Sequence, residues 1–279
     1  MARRSSVTKL GRVSAHVALG VLVAAAVFPM VWMAYTGIKT RGEFVESIWA
    51  LPTGAGVSNY AKVLAQPGFR RYYANSAVVT VGAILLALAV SAPAAFSLGC
   101  LRFRGERAVS LLILSGLVLP VHVTLIPLLK LLGAVGLYDT RAGLIFVHVA
   151  FSIPISVVIL RAFFREVPQA ISEAAMMDGC TTFQVFRHVM LPLCRPALVT
   201  VGVFLFVNIW NEFVFALTFL TSPDKKTLPL GLMEFSESHG TDVVGTCAAL
   251  TLGVAPLMII YFIAQKHIVR GLTAGAVSG

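Results

Sequence analysis

Long runs of apolar residues constrain this chain more than any other feature of its sequence. Four runs contain no Asp, Glu, Lys or Arg, and they cover residues 13–38, 76–101, 108–129 and 243–265. Each is long enough for a helix to cross about 30 Å of hydrocarbon at about 1.5 Å per residue. Two weaker runs follow the same pattern: 142–160 is barely long enough, and 196–222 contains the acid Glu212.

These runs predict a polytopic, all-α membrane protein with six transmembrane helices. The spans are expected at about residues 15–38, 76–100, 108–129, 142–160, 196–221 and 244–265, within a single transmembrane domain covering residues 1–279. In the second span, small residues recur every four positions, which predicts a helix face that another backbone approaches closely. They are Ala83, Ala87, Ser91, Ala95 and Gly99.

Composition and charge favour the same class of protein. Hydrophobic residues make up 58% of the chain and charged residues only 12%, which is typical of a membrane protein. More than half of the 22 basic residues lie in segments 1–12, 102–107, 161–195 and 266–279, which predicts cytoplasmic N- and C-termini. Basic residues in the long loop after the first span argue the other way, but long loops count less in this rule. Because no basic stripe is interleaved with aromatic residues, nucleic-acid binding is not expected.

Glu212, in the sequence "WNEF" at residues 210–213, is the single acid within a predicted span. A carboxylate at membrane depth must face protein or water and have a partner. Three interpretations stay open: a proton-relay acid, a polar wall or gate of a solute pathway, and a structural acid bonded across helices. The residues assigned to a pathway or gate are Trp210, Asn211 and Glu212, together with the span prolines Pro120 and Pro127.

The polar interval 161–196 separates the fourth and fifth predicted spans. Pro168 suits the start of a helix and Gly179 suits a left-handed stop, so residues 169–178 are expected to be helical. Thr181 or Thr182 can cap a second helix over 183–190, which Leu191 and Pro192 are expected to end. This predicts a helix-turn-helix hairpin on the cytoplasmic face, which either fits a groove in a partner protein, packs against its own helices or lies in the membrane interface.

The residues of this hairpin resemble a known motif. "EAAMMDG" at 173–179, followed by Phe186, "LPL" at 191–193 and Pro196, resembles the EAA loop in the membrane subunits of bacterial ABC importers. Further similar stretches are "LPVHVTLIPL" (119–128), "GLYDT" (136–140), "WNEF" (210–213), "TLPLGL" (227–232) and "GLTAGAV" (271–277). Together they resemble the carbohydrate-uptake permeases of the maltose-transporter type, specifically the smaller of the two membrane subunits. Met176, Met177 and Cys180 depart slightly from that loop.

The resemblance implies that residues 166–192, between helices 4 and 5, form a coupling loop that docks on an ATPase. The implied coupling residues are Glu173, Ala174, Ala175, Asp178, Gly179, Phe186 and Pro192. The implied partners are a second permease subunit forming a heterodimer, an ATP-binding-cassette ATPase dimer, an extracytoplasmic solute-binding protein and a sugar. The expected location is the lipid bilayer of a bacterial cytoplasmic (inner) membrane.

In this interpretation the chain is not an enzyme and carries no catalytic residue, cofactor or metal, since ATP is bound by the partner ATPase. The chain itself contains no G-x-x-x-x-G-K-[ST] motif for binding a nucleotide phosphate. The alternatives are an ABC importer permease for a non-sugar solute, a secondary transporter driven by an ion gradient, and a structural membrane protein. A secondary transporter would be expected to show further acids or histidines at membrane depth.

Overall fold

The described part of the chain is built from helices alone. A computed structural model describes the backbone of residues 9–276 apart from 55, 239 and 241, and it contains no strand there. The long helices are α1 (Lys9–Thr36), α4 (Pro67–Cys100), α7 (Arg141–Glu166), α11 (Arg195–Trp210) and α14 (Val243–Ala276). The shorter ones are α2 (Arg41–Glu46), α3 (Ser58–Ala65), α5 (Glu106–Ser115), α6 (Leu125–Ala134), α8 (Gln169–Met177), α9 (Thr182–Gln184), α10 (Leu191–Leu193), α12 (Val214–Phe219) and α13 (Leu228–Ser238). Two compact units result, one from residues 1–66 and 232–254 and the other from residues 67–231 and 255–279.

Four of the predicted spans coincide with long apolar helices. The stretches Val13–Thr36, Pro67–Cys100, Arg141–Glu166 and Val243–Gln265 are each long and apolar enough to cross a membrane. Pro67–Cys100 and Arg141–Glu166 extend beyond the predicted spans, because each helix continues through polar residues outside its apolar run. The all-helical membrane class is therefore confirmed.

The other two predicted spans are not single helices. Residues 108–129 were expected to form one helix, but α5 ends at Ser115 and α6 begins at Leu125. Between them the backbone at Pro120 is extended, and a short 3₁₀ turn follows at Val121–Thr124. Pro127 lies in the first turn of α6, where its missing N–H removes no helical bond. In the fifth predicted span, α11 ends at Trp210 and α12 restarts at Val214.

The core of the larger unit is the contact between α4 and α7. Four residues of the predicted small-residue face, Ala83, Ala87, Ser91 and Ala95, are each 0% exposed. A Cβ atom placed on the fifth, Gly99, would lie 3.5 Å from the carbonyl oxygen of Arg161 in α7. The predicted close-packing face is therefore confirmed.

A polar clamp joins the segment before α7 to the segment after α12. The carboxylate of Asp139 accepts hydrogen bonds from the backbone N–H of Thr221 (2.9 Å) and of Ser222 (3.0 Å), from the Ser222 hydroxyl and from Lys225 Nζ (3.0 Å). Asp139 has a φ of 53°, a left-handed conformation that Asp and Asn tolerate better than most residues. Desolvation by burial raises the pKa of this carboxyl group, but the four hydrogen bonds together lower the pKa well below its usual value.

A second set of bonds ties the same region to α4. The side chain of Asn75 donates to the carbonyl oxygens of Asp224 and Lys226, both at 2.9 Å, and accepts from Arg141 Nη1 at 3.1 Å. The hydroxyl of Ser76 accepts from the backbone N–H of Leu228 at 2.8 Å. The N-terminal third of α4, the start of α7 and residues 221–228 are thereby held together.

Asp139→Asn tests the charge of this clamp without disturbing the left-handed backbone. The ionised carboxylate stabilises the fold above its unfolded pKa of about 4, and this stabilisation is lost as the pH falls through the lowered folded pKa. We expect the substitution to lower the midpoint of thermal unfolding at pH 7 and to reduce its fall between pH 7 and pH 3. Glu46→Gln, at an exposed acid in α2, is a control for the general loss of one acid. If the midpoint of thermal unfolding depends on pH identically in Asp139→Asn and the unaltered protein, the ionised Asp139 carboxylate does not stabilise the clamp.

Candidate functional site

The first half of the predicted hairpin ends in a tight left-handed turn. The helix α8 begins after Pro168, whose backbone is extended, and ends at Met177. Gly179 has a φ of 88°, and the N–H of Cys180 bonds to the carbonyl oxygen of Ala175 at 3.1 Å. This is the Schellman arrangement, in which a glycine takes the conformation that a side chain would strain. The predicted helix stop at Gly179 is confirmed.

The second half starts as predicted and ends later. The Thr181 hydroxyl accepts from the Gln184 N–H, and the Gln184 side chain accepts from the Thr181 N–H at 2.7 Å, forming a capping box. The predicted end at Leu191 and Pro192 is wrong, because the chain stays helical to Leu193. A π-helical stretch, Val185–Met190, precedes Pro192, and the Leu191 N–H reaches back to Phe186. The wider turn accommodates a proline that an α-helical interior would reject.

One face of the hairpin is anchored to its own chain. Val185 and Met190 are buried, and the half-buried ring of Phe186 lies 5.3 Å from Phe96 in α4 and 6.5 Å from Phe164 in α7, between ring centroids. Pro192 is also half-buried. Packing against its own helices, one of the alternatives that the sequence left open, therefore applies to this face.

The opposite face has no cover from the described residues. Glu173, Ala174, Asp178 and Gly179 are all exposed, and Ala175 is half-buried. Met177 is 88% exposed and Phe183 is 65% exposed, so two large apolar side chains project from the turn. The structure thus separates the predicted coupling residues into an inward anchor, with Phe186 and Pro192, and an outward surface with the others.

The break after α11 is closed by Glu212. Its carboxylate accepts hydrogen bonds from the N–H groups of Phe215 (2.7 Å) and Ala216 (3.3 Å) in the first turn of α12. Within a membrane these N–H groups have no water to bond to, so a side-chain acceptor is needed where the helix restarts. These are local bonds to α12 and not the bonds across helices that the structural interpretation expected, and the relay, pathway and gate roles stay predictions.

The sequence reasoning missed the neighbour of Glu212. His148 Nε2 in α7 lies 3.9 Å from Glu212 Oε2, and His148 is 5% exposed. The imidazole also packs edge-on against Phe215, with 5.7 Å between ring centroids. His148 lies within the predicted span 142–160, so a comparison of depth along the fourth and fifth spans would have found this titratable neighbour.

The other predicted pathway residues have separate environments. Trp210 is 4% exposed and packs between Phe206 and Tyr73, with ring centroids 5.4 and 5.5 Å away. Asn211 is exposed, and so is Asn208, one helical turn earlier, which the sequence reasoning did not single out. Pro120, within the break between α5 and α6, and Pro127, in the first turn of α6, are both exposed. Among the described residues, no group of three or more His, Cys, Asp or Glu side chains could hold a metal ion.

Glu212→Ala should leave two N–H groups of α12 without an acceptor. Losing such bonds in a buried site destabilises a protein by about 1–3 kcal/mol, so we expect a lower midpoint of thermal unfolding in the purified protein. Glu212→Gln keeps a carbonyl oxygen and should lose less. Glu46→Ala, at an exposed acid in α2, is the matched control. Equal midpoints of thermal unfolding for Glu212→Ala and Glu46→Ala would contradict the role of Glu212 in capping α12.

Comparison with known proteins identifies the family. Residues 91–274 match the family described as binding-protein-dependent transport system inner membrane component. The chain is 33% identical over 251 residues to the diacetylchitobiose uptake system permease protein NgcG of Streptomyces coelicolor (strain ATCC BAA-471 / A3(2) / M145), covering 89% of this chain and 83% of the relative. It is 32% identical over 256 residues to the trehalose/maltose transport system permease protein MalG of Thermococcus litoralis (strain ATCC 51850 / DSM 5473 / JCM 8560 / NS-C), covering 90% and 91%.

The fold also matches a solved structure. A chain from the crystal structure of a bacterial ABC transporter involved in the import of the acidic polysaccharide alginate superposes with a TM-score of 0.83 at 24% identity, over 95% of this chain and 99% of that chain. The resemblance carried by residues 173–179 and the accompanying stretches is confirmed: this chain belongs to the binding-protein-dependent transport system inner membrane components, the permeases of ABC transporters.

Proposed function

We propose that this chain is one of two permease subunits of an ABC importer for a sugar or sugar-like solute, and that its hairpin couples transport to a separate ATPase. The observation that carries the proposal is the two-sided hairpin. Its inner face is fixed to α4 and α7 by Phe186, while Met177 and Phe183 project from the turn without cover from the described residues.

A surface of this kind suits docking into a groove of another protein. A turn whose backbone is already ordered presents apolar side chains without a further backbone entropy cost, and methionine adapts to irregular apolar grooves. Glu173, Ala174, Asp178 and Gly179 would form the rest of the contact, with Ala175 at its edge. The partner is an ATPase dimer that binds and hydrolyses ATP, so this chain needs no cofactor or catalytic residue of its own. ATP binding there would favour one of two permease conformations, and the hairpin would transmit that bias.

The solute pathway would follow an exposed face of α11. Asn208 and Asn211 lie one turn apart on this face, beside Phe204 and Val207, which are 44% and 43% exposed. Each amide donates one hydrogen bond to the carbonyl oxygen four residues earlier, at 2.7 Å for Asn208 and 2.8 Å for Asn211. An amide also carries a second N–H and a carbonyl oxygen, which can bind hydroxyl groups of a sugar. Exposed amides facing lipid would be unfavourable, which favours a polar pathway.

The names of similar proteins support the solute class. The relatives described above transport diacetylchitobiose or trehalose and maltose, and the transporter of similar fold imports alginate. On that basis we propose that this chain also transports a carbohydrate. The dependence on a binding protein in the family description supports an extracytoplasmic solute-binding protein as a further partner.

The proposed placement is the bacterial cytoplasmic membrane, with residues 1–279 forming one transmembrane domain and both termini inside. Four long helices are each long and apolar enough for one crossing and would supply four of the six. The segments α5 to α6 and α11 to α12 would supply the other two, each interrupted near its middle. The distribution of basic residues supports this orientation.

Met177→Arg tests docking of the hairpin. Met177 is 88% exposed, so the substitution should not disturb the fold, but it should place a solvated charge in an apolar contact. We expect loss of the ATPase on co-purification and loss of ATP-driven sugar uptake in proteoliposomes. Ala61→Arg, at an exposed position of α3, is the control. Normal ATPase binding and uptake with Met177→Arg would refute the docking role.

The double substitution Asn208→Leu and Asn211→Leu tests the proposed solute pathway along α11. Without the two amides, the apparent KM for uptake should rise by roughly tenfold or more, the equivalent of about 1–2 kcal/mol of lost hydrogen bonding, while the ATPase still co-purifies. Val199→Leu, on the opposite side of α11, should leave KM unchanged. Unaltered uptake by the double variant would show that this face does not contact the solute.

A further inference from the structure

Residues 37–54 form a segment that folds back along the end of α1, and we refer to it as the fold-back segment. Its only described lysine, Lys39, is 1% exposed. Lys39 Nζ donates to the carbonyl oxygens of Ser47 (3.1 Å) and Ile48 (2.9 Å), and it lies 5.3 Å from the centre of the Tyr35 ring. The ammonium group is therefore satisfied inside the segment and does not face outward.

The backbone of the fold-back segment is also bonded internally. Thr40 and Glu43 form a capping box at the start of α2, and the N–H of Ser47 bonds to the carbonyl oxygen of Glu43 at 3.1 Å. The other carboxylate oxygen of Glu43 accepts from the N–H groups of Thr53 and Gly54, both at 2.8 Å. Such internal bonding is what a non-spanning segment needs if part of it is to leave water.

Trp49 fixes the direction of the fold-back. Its ring centroid lies 6.0 Å from those of Phe28 and Trp32 in α1. Phe28 is two helical turns before Thr36, the last residue of α1, which corresponds to about 12 Å along the helix axis. Trp49 therefore lies beside the membrane span rather than beyond its end.

Four apolar side chains of the segment are exposed, and we refer to them together as the apolar edge. Val45 is 77% exposed, Ile48 46%, Trp49 67% and Leu51 73%. Phe28, which Trp49 contacts, is 50% exposed on α1, so at Trp49 the apolar edge adjoins the exposed apolar surface of a span. Charged groups at Arg41 and Glu46 lie in the same segment and are exposed as well.

We propose that the apolar edge of Val45, Ile48, Trp49 and Leu51 inserts into the boundary between lipid headgroups and acyl chains, in the leaflet where α1 ends. The partner is the phospholipid surface itself. Interfacial segments bury their apolar side about 5–10 Å deep, which suits side chains within two turns of the end of a span. Trp and Tyr concentrate at this level of membrane proteins, as Trp32, Tyr35 and Trp49 do here. The inference depends on α1 crossing the membrane and not on the solute or the ATPase.

Spin labelling of the assembled transporter in phospholipid nanodiscs tests this proposal. A nitroxide is attached in turn to Val45→Cys, Leu51→Cys and the control Ser58→Cys, at an exposed position of α3. A label at Leu22→Cys, 65% exposed within α1, reports the deeper part of the span. Unsubstituted protein treated with the same reagent gives the background from its own cysteines. Collision rates are measured with oxygen, which concentrates in acyl chains, and with a water-soluble nickel chelate.

The proposal expects labels at Val45 and Leu51 to collide with oxygen several-fold more, relative to the nickel chelate, than the label at Ser58. A nickel collision rate at Val45 and Leu51 equal to that at Ser58 would place the edge in water and overturn the proposal. Low collision rates with both reagents at these two positions would mean that a protein subunit covers the edge, which would also overturn it. Uptake by each labelled variant verifies that the transporter is assembled.

Discussion

Every interruption of a helix inside a membrane must supply its own hydrogen-bond partners, because hydrocarbon offers none. The structure meets this requirement in two ways. After α5, the N–H groups of Gly116, Leu117 and Val118 bond back to carbonyl oxygens three residues earlier. After α11, the restart of α12 depends on the carboxylate of Glu212. Both irregular regions lie in predicted spans. These local hydrogen bonds are therefore what would allow the chain to continue through the bilayer at each interruption.

The parts of the fold that the sequence could predict are those governed by local chemistry or by a simple repeat. The small residues from Ala83 to Ala95 follow the helical period and are fully buried in α4. The turn at Gly179 and the cap at Thr181 need only residues within a few positions of each other. Prolines were less informative, since Pro29, Pro93, Pro154 and Pro256 all lie inside continuous helices. Of the span prolines, Pro120 is the one whose extended backbone coincides with a break in the described chain.

What the sequence could not supply is the set of contacts between residues far apart in the chain. Nothing near Phe186 indicates that its ring turns inward to Phe96 and Phe164, because an aromatic residue on a short amphipathic helix suits either an anchor or a docking surface. His148 and Glu212 are separated by the whole hairpin, and only the packing of α7 beside the end of α11 brings them to 3.9 Å. Hydropathy likewise could not distinguish one continuous span at 108–129 from two shorter helices of the same composition.

The bend where the hairpin joins α11 has a mechanical consequence. The helical stretch Thr182–Leu193 meets Arg195–Trp210 at an angle of 73°. Because α11 has no break between Arg195 and Trp210 and packs against α4 and α7, a rotation of these helices would carry α11 with them as a stiff arm about 24 Å long. Tilting such an arm by about 10° would sweep its far end through about 4 Å, a distance comparable to the width of a sugar hydroxyl and its hydrogen bond. A small rotation at one end of this arm is thus sufficient to move the exposed asparagines at the other.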